Sequence, residues 1–188
     1  MRVFIRTIAG VLTLTLVAIA CSSDSDDAGG GDDPCSGGGS GACPTPVDVP
    51  DTVSLRTHVM PILRRSCGLS TSCHGSPTNS AADLYQGPKL ADANPTDAQI
   101  TEIHAALVGD SFTASGSKLV VPGQPDASFW YLKLDGRHMC DDDLATTCEA
   151  DGNTEHPCGD TMPPASPKLC DAELEILRKW IEQGAEDN

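Results

Sequence analysis

The chain has 188 residues, enough for one ordinary domain with appendages. It carries 27 acidic against 12 basic side chains, a formal charge of −15, and a surface that acidic repels nucleic acid and anionic lipid headgroups. Aromatic residues are only 4% of the chain, so the core is thin and calls for staples or a large cofactor at its centre.

Arg2 and Arg6 precede an apolar run from Ile8 to Ala20, shorter than the roughly 20 residues a comfortable membrane span needs. Small residues end the run at Ala18-Ile19-Ala20, directly before Cys21. This is the layout of a signal peptide over residues 1–20. The cysteine after the small residues resembles the lipobox of bacterial lipoproteins, with Ala18 where Leu is usual. The resemblance implies that Cys21 is lipidated and holds the protein to a membrane by its acyl chains alone, and three chains anchor stably where one does so marginally. Ser22, being other than Asp, implies the outer membrane, facing the periplasm or the cell surface. Plain secretion with cleavage elsewhere is the alternative. Loss of Arg2 and Arg6 takes the mature charge to near −17, which suits either solubility or a basic partner.

Nine cysteines in an exported chain argue for an oxidising compartment. Beyond Cys21 they are Cys35, Cys43, Cys67, Cys73, Cys140, Cys148, Cys158 and Cys170. All eight can pair, or six can pair while two hold a cofactor; parity does not decide.

Residues 21–50 are almost all Ser, Asp, Gly, Pro and Cys, a composition that cannot form a core. They predict a flexible tether spanning about 30 Å, within which Cys35 and Cys43 can close a small loop. The domain is expected over 51–188, and its periodicities are helical throughout. In 53–66, Val59, Ile62 and Leu63 share a face with Leu55 and Met60 alongside, and Pro61 should kink the helix or start a new segment. In 96–108, Thr96 and Gln99 form a capping box, Ile100, Ile103, His104 and Leu107 a stripe, and Gly109 a stop. A third helix is expected over 126–134, with Phe129, Tyr131 and Leu132 packing inward. A fourth is expected over 171–183, on Leu174, Leu177 and Ile181 with Ile176 and Trp180 beside them. The stretch 138–167 is polar, rich in Cys and Pro, and aperiodic. It reads as an irregular loop held by disulfides or by something it binds.

The chemistry concentrates in Cys67-Gly68-Leu69-Ser70-Thr71-Ser72-Cys73-His74-Gly75. A Cys-His pair with a further cysteine upstream, just after an amphipathic helix, is the layout of covalent haem attachment. Two thiols add across the haem vinyl groups, and an imidazole beside the second thiol ligates the iron. Four stretches together, VMPILRRSC leading into CHG (59–75), VVPGQPDASFWYLKL (120–134), CGDTMPP (158–164) and LCDAELEILRKWIEQGA (169–185), resemble the small exported class I cytochrome c domains of environmental bacteria. The resemblance implies an all-α, cytochrome c-like fold and haem c as cofactor. It implies thioethers at Cys67 and Cys73, His74 as proximal ligand and Met162 as distal ligand, with Pro163 and Pro164 stiffening the ligand loop. A His/Met pair raises the reduction potential. The implied function is electron transfer with a redox protein partner at the cell envelope, not enzymatic turnover.

The family has two residues between the cysteines and this chain has five. Haem attachment then requires the loop formers Gly68, Ser70, Thr71 and Ser72 to bulge out. Otherwise the domain is a haem-free, disulfide-stabilised structural or binding lipoprotein, with Cys67 and Cys73 joined to each other. His138, Met139 and His156 are alternative distal ligands, and an open distal site would suit a peroxidase-like enzyme. His58 and His104 read as packed helical histidines. Asp141, Asp142, Asp143, Asp151 and Asn153 lack EF-hand spacing and read as a solvated acidic loop. No GxSxG, HExxH or phosphate-binding loop occurs.

Overall fold

The computed structural model describes residues 35–111, 113–140, 144, 147–148, 158–164 and 168–188. The expected signal peptide and lipidation site Cys21, together with His156 and the acidic residues Asp141–Asp143, Asp151 and Asn153, lie outside the described residues.

A π-helical turn, Leu55–Val59, runs into α1, Met60–Ser66, and Pro61 sits in the first turn of α1 where its missing N–H costs nothing. Helix α2 is Asp97–Leu107, opened by the expected Thr96/Gln99 capping box. Helix α3 is Phe129–Asp135 and α4 is Asp171–Glu182. The third helix starts later than its sequence pattern predicts. Pro125–Ala127 forms a 3-10 turn, and the buried Ser128 hydroxyl donates to the Gln124 carbonyl while accepting from the Val121 amide. Among the described residues there is no strand, only an isolated bridge between Asp110 and Lys118. The protein is all-α in that part.

The expected stripes meet in one core. Leu55, Val59, Leu63, Ile103, Leu107, Leu177 and Ile181 are fully buried. Trp180 lies at its centre, edge-on to Trp130 (ring centroids 6.5 Å apart) and to His104 (6.4 Å). The His104 Nε2–H and the Trp180 indole N–H donate to the Ala185 and Glu186 carbonyls, which folds the chain's end back over the core. Asn188 then accepts from the amides of Leu55 and Arg56, two donors that open the π-helical turn.

One buried charge shapes the loop facing α1. Arg64 is 7% exposed. Its guanidinium donates to the carbonyls of Pro88, Lys89, Leu90, Asp92 and Ala93 and to the Asn94 side chain. A cation so enclosed is tolerated because every donor finds an oxygen.

Residues 35–50, expected as part of a flexible tether, are fixed to the domain. Cys35 pairs with Cys140 and Cys43 with Cys170, not with each other. The composition of 35–50 forbids a core but not attachment, and two long-range staples supply what apolar contacts cannot. Between the staples, the Gly38 amide donates to Asp135 Oδ1 (2.6 Å), the Ser40 amide to the Leu169 carbonyl and the Asp171 amide to the Gly41 carbonyl. A Cβ at Gly39 would stand 2.7 Å from the Leu169 oxygen, so only glycine permits this approach. Val47 and Val49 pack on the main core. A third disulfide, Cys148–Cys158, is buried under Phe129 and Ala114.

Replacing Cys43 and Cys170 together by alanine is expected to lower the unfolding free energy by about 2–5 kcal/mol. Residues 35–50 should then become open to limited proteolysis. Urea titration and proteolysis of the double variant check both effects.

Candidate haem-attachment site

The segment after α1 closes on itself. The His74 amide donates to the Cys67 carbonyl at 3.1 Å, and the Cys73 and Gly75 amides donate to the Ser70 carbonyl at 3.3 and 3.0 Å. The Ser70 hydroxyl donates to Cys73 Sγ. The intervening residues bulge outward, with Thr71 and Ser72 exposed and Leu69 56% exposed, while Cys67 and Cys73 stay buried. The five-residue spacing therefore does not separate Cys67 from His74; the loop formers absorb it.

Cys67 is the free cysteine among the described residues, and burial pushes its thiol up to about 12. Cys73 is engaged in a disulfide. The local Cys67–Cys73 disulfide considered from the sequence is thus not formed.

His74 is half-buried, and its Nδ1 lies 2.7 Å from the Leu84 carbonyl. A carbonyl only accepts, so Nδ1 carries the proton and a neutral ring leaves Nε2 with its lone pair free. Burial lowers the imidazole's pKa, the Leu84 hydrogen bond opposes this, and the charge of Lys133 lowers it further. The neutral, ligating form is favoured. The backbone binds the site to α3 as well. The His74 carbonyl accepts from the Gln86 amide (3.0 Å), and Gln86 Oε1 accepts from the indole N–H of Trp130 (3.2 Å).

Met162 is half-buried against the main core. Its amide donates to the Lys133 carbonyl at 2.9 Å, and its peptide bond to Pro163 is cis. Lys133 is thus tied to Met162 by its backbone, and its charge lowers the His74 pKa. The Lys133 ammonium donates to the Cys158 carbonyl and sits 5.7 Å from the centre of the Phe129 ring. Burial brings its pKa down to about 8, against the opposing charge of Asp160.

The structure places the other candidates as follows. His58 Nδ1 accepts from the Ser54 amide, and Met139 is 41% exposed. His138 is fully buried, with Nε2 donating to the Gly159 carbonyl at 2.7 Å and Nδ1 without a hydrogen-bond partner. Among the described residues no cluster of three or more His, Cys, Asp or Glu suits a metal ion, and no helix is long and apolar enough to cross a membrane. Lys133 and the Leu84 carbonyl have no signal in the sequence. A lysine on a helix reads as solvated, and a backbone carbonyl is not encoded by residue type.

No family model, curated protein or solved structure matches the chain.

Tested against haem c, the residues fit at two points: a tautomer-fixed imidazole and a free buried thiol one hydrogen bond from it along the backbone. They do not fit at Cys73 while its sulfur is in a disulfide, since one sulfur cannot hold both bonds.

Burial, with Lys133 adding, lowers the His138 pKa from 6.5 to about 4. Between these values the unfolded chain takes up a proton that the folded protein refuses. Stability is therefore full above pH 6.5 and falls as the pH drops toward 4, by about 3 kcal/mol in all from this group. A His138→Gln variant should lack that part of the slope. Urea midpoints of both proteins measured from pH 4 to pH 7 check it.

Proposed function

We propose that this chain is an electron-transfer protein of the cell envelope, a c-type cytochrome domain held to a membrane through a lipid on Cys21. The observation that carries the reading is the hydrogen bond between His74 Nδ1 and the Leu84 carbonyl. It presents Nε2 as a ligand from the loop that also holds Cys67 and Cys73. Haem c, when bound, supplies a one-electron iron couple. The chain's part is to hold His74 neutral and oriented, to offer Met162 from the loop tied to Lys133, and to keep water out with Trp130, Tyr85 and Leu84, all buried. A His/Met pair favours the reduced iron, as does a half-buried cation such as Lys133. The acidic surface, −15 overall, suits a basic redox partner by long-range steering.

A second reading is favoured by one observation, the disulfide at Cys73. In it the domain binds no haem, and disulfides replace the cofactor as stabiliser. The state of the Cys73 sulfur separates the two readings.

The test is expression of the full chain in a host with haem-attachment machinery. Electron transfer predicts a Soret band that survives acid–acetone extraction, and a peptide spanning 67–74 carrying the mass of one haem. Met162→Ala is expected to keep the covalent haem and lower the potential. A chain without haem, with Cys73 in a disulfide by mass mapping, refutes the cytochrome reading.

A further inference from the structure

The backbone that presents Met162 is irregular, yet it is held at four closely spaced points. Cys158 is bonded to Cys148. The Cys158 carbonyl accepts from the Lys133 ammonium, the Gly159 carbonyl from His138 Nε2–H, and the Met162 amide donates to the Lys133 carbonyl. All three hydrogen bonds come from the C-terminal end of α3 or the turn after it. Cys158 and Gly159 lie in succession at φ 69° and 70°, a left-handed region that a non-glycine residue enters only where its surroundings over-determine it.

His138 is 0% exposed and leaves Nδ1 buried without a partner. An unpaired nitrogen in the interior is a standing cost, and an apolar ring would fill the space without it. What ties the imidazole to the ligand loop is the bond from Nε2 to the Gly159 carbonyl, three residues before Met162.

We propose that His138 is a positioning residue for Met162: with Lys133 it clamps the 158–162 loop to α3 and so keeps the thioether as the second axial ligand. This rests on the haem reading above, but the clamp itself has a readout that does not. The experiment compares the full chain, His138→Phe and His138→Gln, the last retaining an amide donor for the Gly159 carbonyl. Hydrogen exchange at the Met162 amide is expected to speed up about tenfold in His138→Phe, the factor carried by the net loss of one hydrogen bond, and to stay near the parent rate in His138→Gln. In haem-loaded protein, His138→Phe should lose the red charge-transfer band of methionine-ligated ferric iron, show a lower potential, and admit added imidazole about tenfold more tightly. His138→Gln should restore all three. If His138→Phe does not accumulate, His138→Asn, whose amide is too short for Gly159, is expected to behave in its place. Unchanged Met162 exchange in the Phe or Asn variant, or a Gln variant as impaired as they are, overturns the clamp. A parent chain without haem refutes the cytochrome reading, and amide exchange alone then decides the clamp.

Discussion

Helix α3 buries Phe129, Trp130, Tyr131, Leu132, Leu134 and Asp135 out of its seven residues, so the polar groups it carries inward must find partners inside the protein. A buried donor or acceptor without one costs about 1–3 kcal/mol. Each of these groups is satisfied by a different segment. The Trp130 indole goes to Gln86 and thence to the His74 backbone. Lys133 takes the Cys158 and Met162 segment at both ends of its residue. Asp135 takes the Gly38 amide and Arg137. One short helix thereby assembles three loops that have no secondary structure of their own.

The same need explains why the domain manages with so few aromatic side chains. Apolar burial is concentrated around Trp180, and the periphery is held by covalent and polar ties. Two disulfides with sequence separations of 105 and 127 residues bind the glycine-rich 35–50 segment, whose hydrophobic contacts are limited to Val47 and Val49. Arg64 does for the 88–94 loop what a core residue would do elsewhere, gathering carbonyls that point away from any helix. These ties fix the loop of His74 to α3 through Gln86 and Trp130, and the loop of Met162 through Lys133.

Much of the helical framework was legible in the amino-acid order, because helix periodicity and capping are local. The Thr96/Gln99 box and the stripe of Ile100, Ile103 and Leu107 lie where their spacing puts them. So do Pro61 at the head of α1 and the Leu174, Leu177, Ile181 stripe of α4. The start of α3 was not legible. Pro125 and Asp126 suit a helical start, but the Ser128 side chain makes its bonds to Gln124 and Val121 and delays the helix. The fate of Cys35 and Cys43 was misjudged for a related reason: their closeness along the chain suggests a local loop, whereas pairing follows closeness in space.

At the candidate site the residue types were visible and the relationships were not. Cys67, Cys73, His74 and Met162 stand out as chemistry-bearing groups at recognisable spacing, since thiols, imidazole and thioether are few and their roles differ. That His74 is oriented by the Leu84 carbonyl, that Lys133 holds the Cys158 carbonyl, and that His138 pins a glycine carbonyl depend on which distant backbone groups fold within 3 Å of them. The sequence by itself determined an acidic, cysteine-rich chain with helices at set positions, because charge and periodicity are properties of neighbouring residues. Tertiary structure alone decided which cysteines pair, how residues 35–50 are fixed and which imidazole nitrogen of His74 meets a carbonyl, because each is a contact beyond the neighbouring residues.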